Sequence, residues 1–275
     1  MNVLTRVFGA IAVSVLLAST VLAQWPSRPT PGVPRTPDGR PNLAALAPRT
    51  SDGKSDLSGI WQILPGTAGR NAKPIEPPPG TPPVAMFWNI GRGFKDGLPF
   101  QPSAAETLKK RMADDSKGNP DAWCLPMGLM QLHNHPGPRK IVQTPGLIVI
   151  MYEGNSGLRQ IFLDGRPLPN NDPQPWWYGY STGRWEDDTL VVQTTGFRDD
   201  GWLDVDGSPL TDAAKWTERF RRPSFGRLEI DVTIDDPKAY TKPFTVRVNQ
   251  QIMLDTELIE FVCNENEQFT RHFAK

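Results

Sequence analysis

The second half of the chain alternates between apolar and polar positions. Leu228, Ile230, Val232 and Ile234 are interleaved with Glu229, Asp231, Thr233 and Asp235. That is the period-2 pattern of a strand with one wet face. Phe244, Val246 and Val248 alternate with Thr245, Arg247 and Asn249 in the same way. Upstream, residues 141–144 and 147–152 form two β-branched runs around Pro145-Gly146. Residues 158–163 end in the turn pair Asp164-Gly165. Residues 177–183 lead into Arg184-Trp185-Glu186, and Asp187-Asp188 turns into residues 189–195. Residues 216–221 and 258–263 complete the series. Short strands at near-regular spacing, separated by Gly, Asp and Pro turns, predict an antiparallel β architecture. No βαβ rhythm is present, and no internal repeat is evident, which argues against a propeller. The expected fold is mainly β, an antiparallel up-and-down barrel, with a β-sandwich as the alternative.

One segment breaks the pattern toward helix. Ser103 is followed three residues later by Glu106, a capping box, and residues 104–112 are good helix formers. Lys109, Lys110 and Arg111 lie toward its C-terminal end, where cations suit the dipole. This single N-terminal helix is expected to plug or cap one end of the barrel.

The N-terminus has a different logic. Residues 1–6 are short and positively charged, 7–21 are almost continuously apolar, and Val21-Leu22-Ala23 is a small-residue cleavage signal. This order predicts a secretory signal peptide over 1–23 and a periplasmic or secreted protein. Residues 24–55 are proline-rich, with Trp25-Pro26-Ser27-Arg28-Pro29 and Pro41-Asn42-Leu43 reading as extended chain, a leader, linker or surface strap. A single β-rich domain is expected over 56–275.

Composition narrows the classes of partner. The 275 residues carry 30 basic and 30 acidic side chains. No global field would steer nucleic acid or an anionic membrane to the protein. There is no second long apolar run, so no membrane span is expected in the mature chain. Two cysteines, Cys124 and Cys263, in an exported protein predict a disulfide, with a thiol nucleophile or metal ligand as the competing reading.

A set of short motifs resembles a family of exported bacterial proteins of unassigned function. They are Asp56-Leu57-Ser58-Gly59-Ile60-Trp61, Gln143-Thr144-Pro145-Gly146, Asp164-Gly165-Arg166-Pro167, Gly179-Tyr180-Ser181-x-Gly183-Arg184-Trp185-Glu186, Asp188-Thr189-Leu190-Val191-Val192, Glu218-Arg219-Phe220, Asp235-Asp236-Pro237 and Cys263-x-Glu265-Asn266. The resemblance implies no particular reaction. Where the family-like pattern has Gly-x-Pro-His-Ser, this chain has Gly207-Ser208-Pro209-Leu210-Thr211, so no histidine role carries over. Gly59-Ile60-Trp61 is also similar to the Gly-x-Trp of lipocalin-like (calycin) barrels, which implies a tryptophan packed at the closed end.

The candidate chemistry lies in three groups. His133 and His135, in Leu132-His133-Asn134-His135-Pro136, would present both rings on one face of a strand, which suits a metal; a polar loop is the competing reading. His272 stands alone near the C-terminus. Among the carboxylates, Glu153, Glu186 and Glu218 lie in or beside strands and are candidate acid/base groups. An inward carboxylate is costly unless paired, and Arg159, Arg166, Arg184, Arg219 and Arg221 are available. The third group is aromatic. Trp176, Trp177, Tyr178, Tyr180, Trp185, Trp202 and Trp216 could wall a cleft for an aromatic, steroid-like or sugar-like ligand, or simply pack a core. The expected ligand-binding set is Tyr178, Tyr180, Arg184, Trp185, Arg159, Arg219 and Trp202. No Gly-x-Ser-x-Gly elbow, dinucleotide fingerprint or phosphate loop occurs, and no cofactor is expected. Three functions follow as expectations: an exported binder of a small apolar or aromatic molecule in a barrel pocket, a cofactor-free hydrolase or lyase, and an envelope interaction module.

Overall fold

A computed structural model describes residues 29–169 and 175–263. The predicted signal peptide, Trp25, Glu265-Asn266 and His272 lie outside the described residues. The chain divides into two units. In the first, Thr30 and Asp255 exchange hydrogen bonds of 2.7 Å each. The second runs over Val33–Met253 and resumes at Glu257.

Alternation along the strands becomes alternation of burial. On β10 (Arg227–Asp235), Leu228, Ile230, Val232 and Ile234 are buried. Their neighbours on β9 (Lys215–Ser224) are Trp216, Glu218, Phe220 and Arg222, and on β11 (Phe244–Met253) Phe244, Val246, Val248, Gln250 and Ile252. These strands close a barrel with β1 (Gly59–Ile63), β2 (Arg139–Gln143), β3 (Leu147–Tyr152), β4 (Leu158–Phe162), β5 (Tyr180–Glu186) and β6 (Thr189–Thr195). The order around the ring is β1-β11-β10-β9-β6-β5-β4-β3-β2. An odd ring of strands that alternate in direction must contain one parallel pair. Here it is β4–β5, where Ile161 faces Ser181 and Phe162 faces Thr182. The chain between β4 and β5 is long, as the connection of a parallel pair must be. Gly183 permits the close approach, since a Cβ there would lie 2.8 Å from Leu163 Cδ2. A hairpin of β7 (Gly201–Trp202) and β8 (Pro209–Leu210) is inserted between β6 and β9.

Among the described residues two α-helices accompany the barrel, and their roles differ from the expectation. The predicted helix forms as α1 (Pro102–Ala113), but Gln101 is its N-cap and makes no side-chain capping bond. Proline at the first helical position, a favoured place, moves the N-cap two residues earlier than the expected Ser103. Only Ala104 of α1 is buried. The helix that enters the barrel is α2 (Leu129–Asn134), all six of whose residues are buried. Residues 258–263 are not a strand. Instead Ile259 N donates to Glu153 (3.0 Å), Ser156 donates to Phe261 O (3.0 Å), and Cys263 is bonded to Cys124.

The strand registers define two ends. One carries the turns after β2, β5 and β9. There Trp61 is fully buried, Arg222 lies 4.8 Å above its ring, and Trp61 Nε1 donates to Leu57 O (3.0 Å). The other end carries α2.

The leader corrects the reading that the chain has no repeat. Pro34-Arg35-Thr36-x-Asp38-Gly39 recurs fourteen residues later as Pro48-Arg49-Thr50-x-Asp52-Gly53, and Leu43 recurs as Leu57. Both copies fold into the same turn. Thr36 N and Thr50 N reach Arg40 O and Lys54 O at 2.9 Å each, and Asn42 N and Asp56 N reach Pro34 O and Pro48 O at 2.7 and 2.9 Å. Gly39 and Gly53 both adopt positive φ, +82° and +79°. Two copies in a stretch without apolar periodicity leave little signal for a pattern built on strands and helices.

Candidate functional site

Inside the barrel, parity along the strands brings polar side chains together. Glu218 on β9 is 0 % exposed and accepts two bonds from Arg159 of β4, one of them at 2.9 Å from Nη1. Arg159 also donates to Ser181 (3.1 Å) and Thr194 (3.0 Å), which bond each other at 2.9 Å. From α2, His133 Nε2 meets Glu218 Oε1 at 2.8 Å. Burial opposes ionisation of Glu218, but the Arg159 charge and the His133 bond outweigh it and hold the carboxyl at about 2. Burial pushes the His133 imidazole below its ordinary value, so it is neutral. A carboxylate only accepts, so His133 carries its proton on Nε2 and donates it to Glu218. Burial also pushes the Tyr152 phenol up to about 12, and its hydroxyl stands 3.5 Å from His133 Nδ1. Arg139, held by burial at about 10, donates to the carbonyls of His133 (2.5 Å), His135 (2.9 Å) and Gly137 (3.3 Å) and so caps the end of α2. This network is sealed and anchors α2 rather than meeting solvent, although Arg139 Nε and Asn134 Nδ2 have no hydrogen-bond partner among the described residues.

A cleft of about 160 Å³ opens beside the start of α2, with Trp177, Phe197, Arg198, Asp199, Asp200 and Trp202 on its walls. Trp202 O approaches Gly128 so closely that a Cβ there would lie 1.9 Å away. Gln131 Nε2 donates to the same carbonyl (3.4 Å) and accepts from Asn119 (3.1 Å) through its oxygen. Arg111 lies 4.3 Å over the Trp202 ring, donates to Gly201 O (3.1 Å) and Gly207 O (3.0 Å), and pairs with Asp200. The Arg198 guanidinium lies 4.4 Å over Trp177 and forms no ion pair among the described residues. Next along the chain, burial raises the Tyr178 phenol, with Tyr152 and Asp121 adding to the effect.

The remaining sequence candidates are dispersed. Glu186, Arg184 and Arg219 meet on the outer face, with Glu186 accepting at 2.8 and 2.9 Å. The Arg219 bond, then Arg184, hold its carboxyl below the ordinary range despite slight desolvation. Tyr180 is also outside, stacked on Phe162 (5.3 Å between centroids) and accepting from Arg166 (3.2 Å). Trp185 faces Leu190 across an unbroken register, so it and Tyr180 lie on opposite faces of β5. Glu153 accepts from Ile259 N. His133 and His135 are not on a strand: one lies in the last turn of α2 and the other is its C-cap, so their rings diverge. His135 Nδ1 accepts from Gly137 N (2.9 Å), and burial, then Arg139, push its pKa down to about 4. Among the described residues no group of three His, Cys, Asp or Glu is placed to hold a metal.

The structure therefore joins Arg159 to Glu218 and Arg184 to Glu186 and Arg219, and puts Trp202 in the cleft. Sequence reasoning missed Tyr152, Arg139 and Arg198. The parity of Trp216-x-Glu218-x-Phe220 did carry the inward placement of Glu218. Comparison with protein-family models, curated proteins and solved structures finds no match.

Proposed function

We propose that this is an exported protein that binds a small molecule with one aromatic ring and an anionic group, held in the cleft between Trp177 and Trp202. The observation that carries the reading is the Arg198 guanidinium, without an ion pair among the described residues, resting on an indole at the wall of an open cleft. Indole faces suit a planar apolar body, and a guanidinium fork suits a carboxylate. Large inward side chains such as Trp61, Trp216 and Phe220 are fully buried, so the ligand is assigned to the end of the barrel rather than its lumen. The acid/base reading on Glu218 gains no support, because that carboxylate is sealed, ionised and fully paired. Export rests on the N-terminal pattern, and the disulfide is compatible with it.

Indole-3-acetate and benzoate, which combine a ring with a carboxylate, are suitable probes for isothermal titration calorimetry. Saturable one-to-one binding that is lost in Trp177→Ala and weakened in Arg198→Gln supports the proposal. Binding of the probes to both variants as to the parent protein refutes it.

A further inference from the structure

The two turns of the leader share a fold but not a situation. In the second copy, Arg49 Nη1 donates to Gly53 O (2.7 Å), which fixes the guanidinium. The fork then grips Asp188, on the turn between β5 and β6, at 2.7 and 2.8 Å. Downstream, Leu57 and Ile60 are 1 % and 7 % exposed. This copy is a docking element: an arginine fork on an acidic hairpin turn, followed by two buried aliphatic side chains.

In the first copy, Arg35 Nη1 donates to Gly39 O at the same 2.7 Å, so its guanidinium is fixed in the same way. No carboxylate meets it among the described residues. The positions corresponding to Leu57 and Ile60 are Leu43 and Leu46, 42 % and 90 % exposed. The segment is nonetheless held in place, because Phe225 N donates to Ala45 O (2.8 Å) and Gly226 N to Leu43 O (2.9 Å). Leu46 also borders a groove of about 360 Å³, beside Arg49, Asp188 and Arg221. The first copy thus displays in the open the set of groups that the second uses to dock.

We propose that residues 34–46 are a docking motif for another protein, one that presents an aspartate on a β-hairpin turn beside a slot for aliphatic side chains. The charge complementarity is that of Arg49 with Asp188, and a bidentate guanidinium–carboxylate pair is geometrically selective. Preorganisation by Gly39 O and by the 43–45 anchor reduces the ordering cost of binding. The proposal does not rest on the cleft beside α2.

The probe is a cyclic hairpin peptide carrying the sequence of residues 184–191 of this chain. It is titrated into the isotope-labelled full-length protein and followed by NMR. The expected result is saturable shifts confined to residues 34–46. Affinity should fall by about tenfold or more with Arg35→Ala in the protein, or with Asp188→Asn in the peptide. Absence of shifts, or shifts indifferent to both substitutions, overturns the proposal. Sedimentation of the protein alone supplies the other test. A monomer agrees with a separate partner, whereas a dimer abolished by Arg35→Ala overturns it and makes a second copy the occupant.

Discussion

Replacing Glu218 with Gln leaves the Arg159 guanidinium charged and sealed inside the barrel with its counter-charge and one of its two carboxylate acceptors gone. Breaking one side of a buried pair costs about 3–5 kcal/mol, whereas replacing both partners by apolar groups can be neutral. Glu218→Gln is therefore expected to lower the denaturant midpoint strongly, and Glu218→Leu with Arg159→Met to recover much of the loss. Additive losses would contradict the pairing. Glu186→Gln is the contrast: its bonds to Arg184 and Arg219 are on the surface, where solvent screens such pairs, so the melting temperature should barely move. The pH dependence follows from signs. Glu218 titrates lower in the fold than its ordinary 4.5, so its contribution is complete above about pH 4.5 and is lost as pH falls toward 2. His133 and His135 are depressed below 6.5, and the unfolded chain takes up their protons first, so stability also declines as pH drops below that value, for His135 down to about 4. Thermal melts should fall steadily from about pH 6.5 downward, and a flat profile between about pH 6.5 and 4 would contradict this account.

At the level of elements, α2 is fixed at both ends, by Arg139 on its last carbonyls and by the contact of Gly128 with Trp202 O. Gly128→Ala forces backbone apart at that contact and should cost about 1–3 kcal/mol, read as a lower melting temperature. An unchanged melt would mean that the contact yields easily. The strands were legible because a half-buried strand must alternate, as β9, β10 and β11 do. Helix α2 was not legible: Leu129-Met130-Gln131-Leu132-His133-Asn134 is buried all round and too short to show a 3.6-residue period. Residues 258–263 misled in the other direction. They have strand composition, but a side chain and a disulfide hold them where no neighbouring strand offers a ladder.

Across the whole molecule, closure of the barrel was within reach of the sequence, whereas the gathering of polar groups was not. Alternation gives each residue its face, but the ring order decides that Arg159 of β4 and Glu218 of β9 meet across the lumen. The cleft depends on residues 118–128, 177 and 197–202, which only the inserted β7–β8 hairpin and the parallel crossover bring together. Aromatic content pointed to a walled cleft, and Trp202 is in it, while Tyr180 went to the outer face. The central claim is that this cleft holds a small ring-bearing anion. Native mass spectrometry on protein purified from its own host puts it to the test. The account predicts a one-to-one small-molecule adduct, aromatic by fragmentation and lost in Trp177→Ala. An adduct that persists in Trp177→Ala and Arg198→Gln, or a bare mass together with no binding of indole-3-acetate or benzoate, would contradict it.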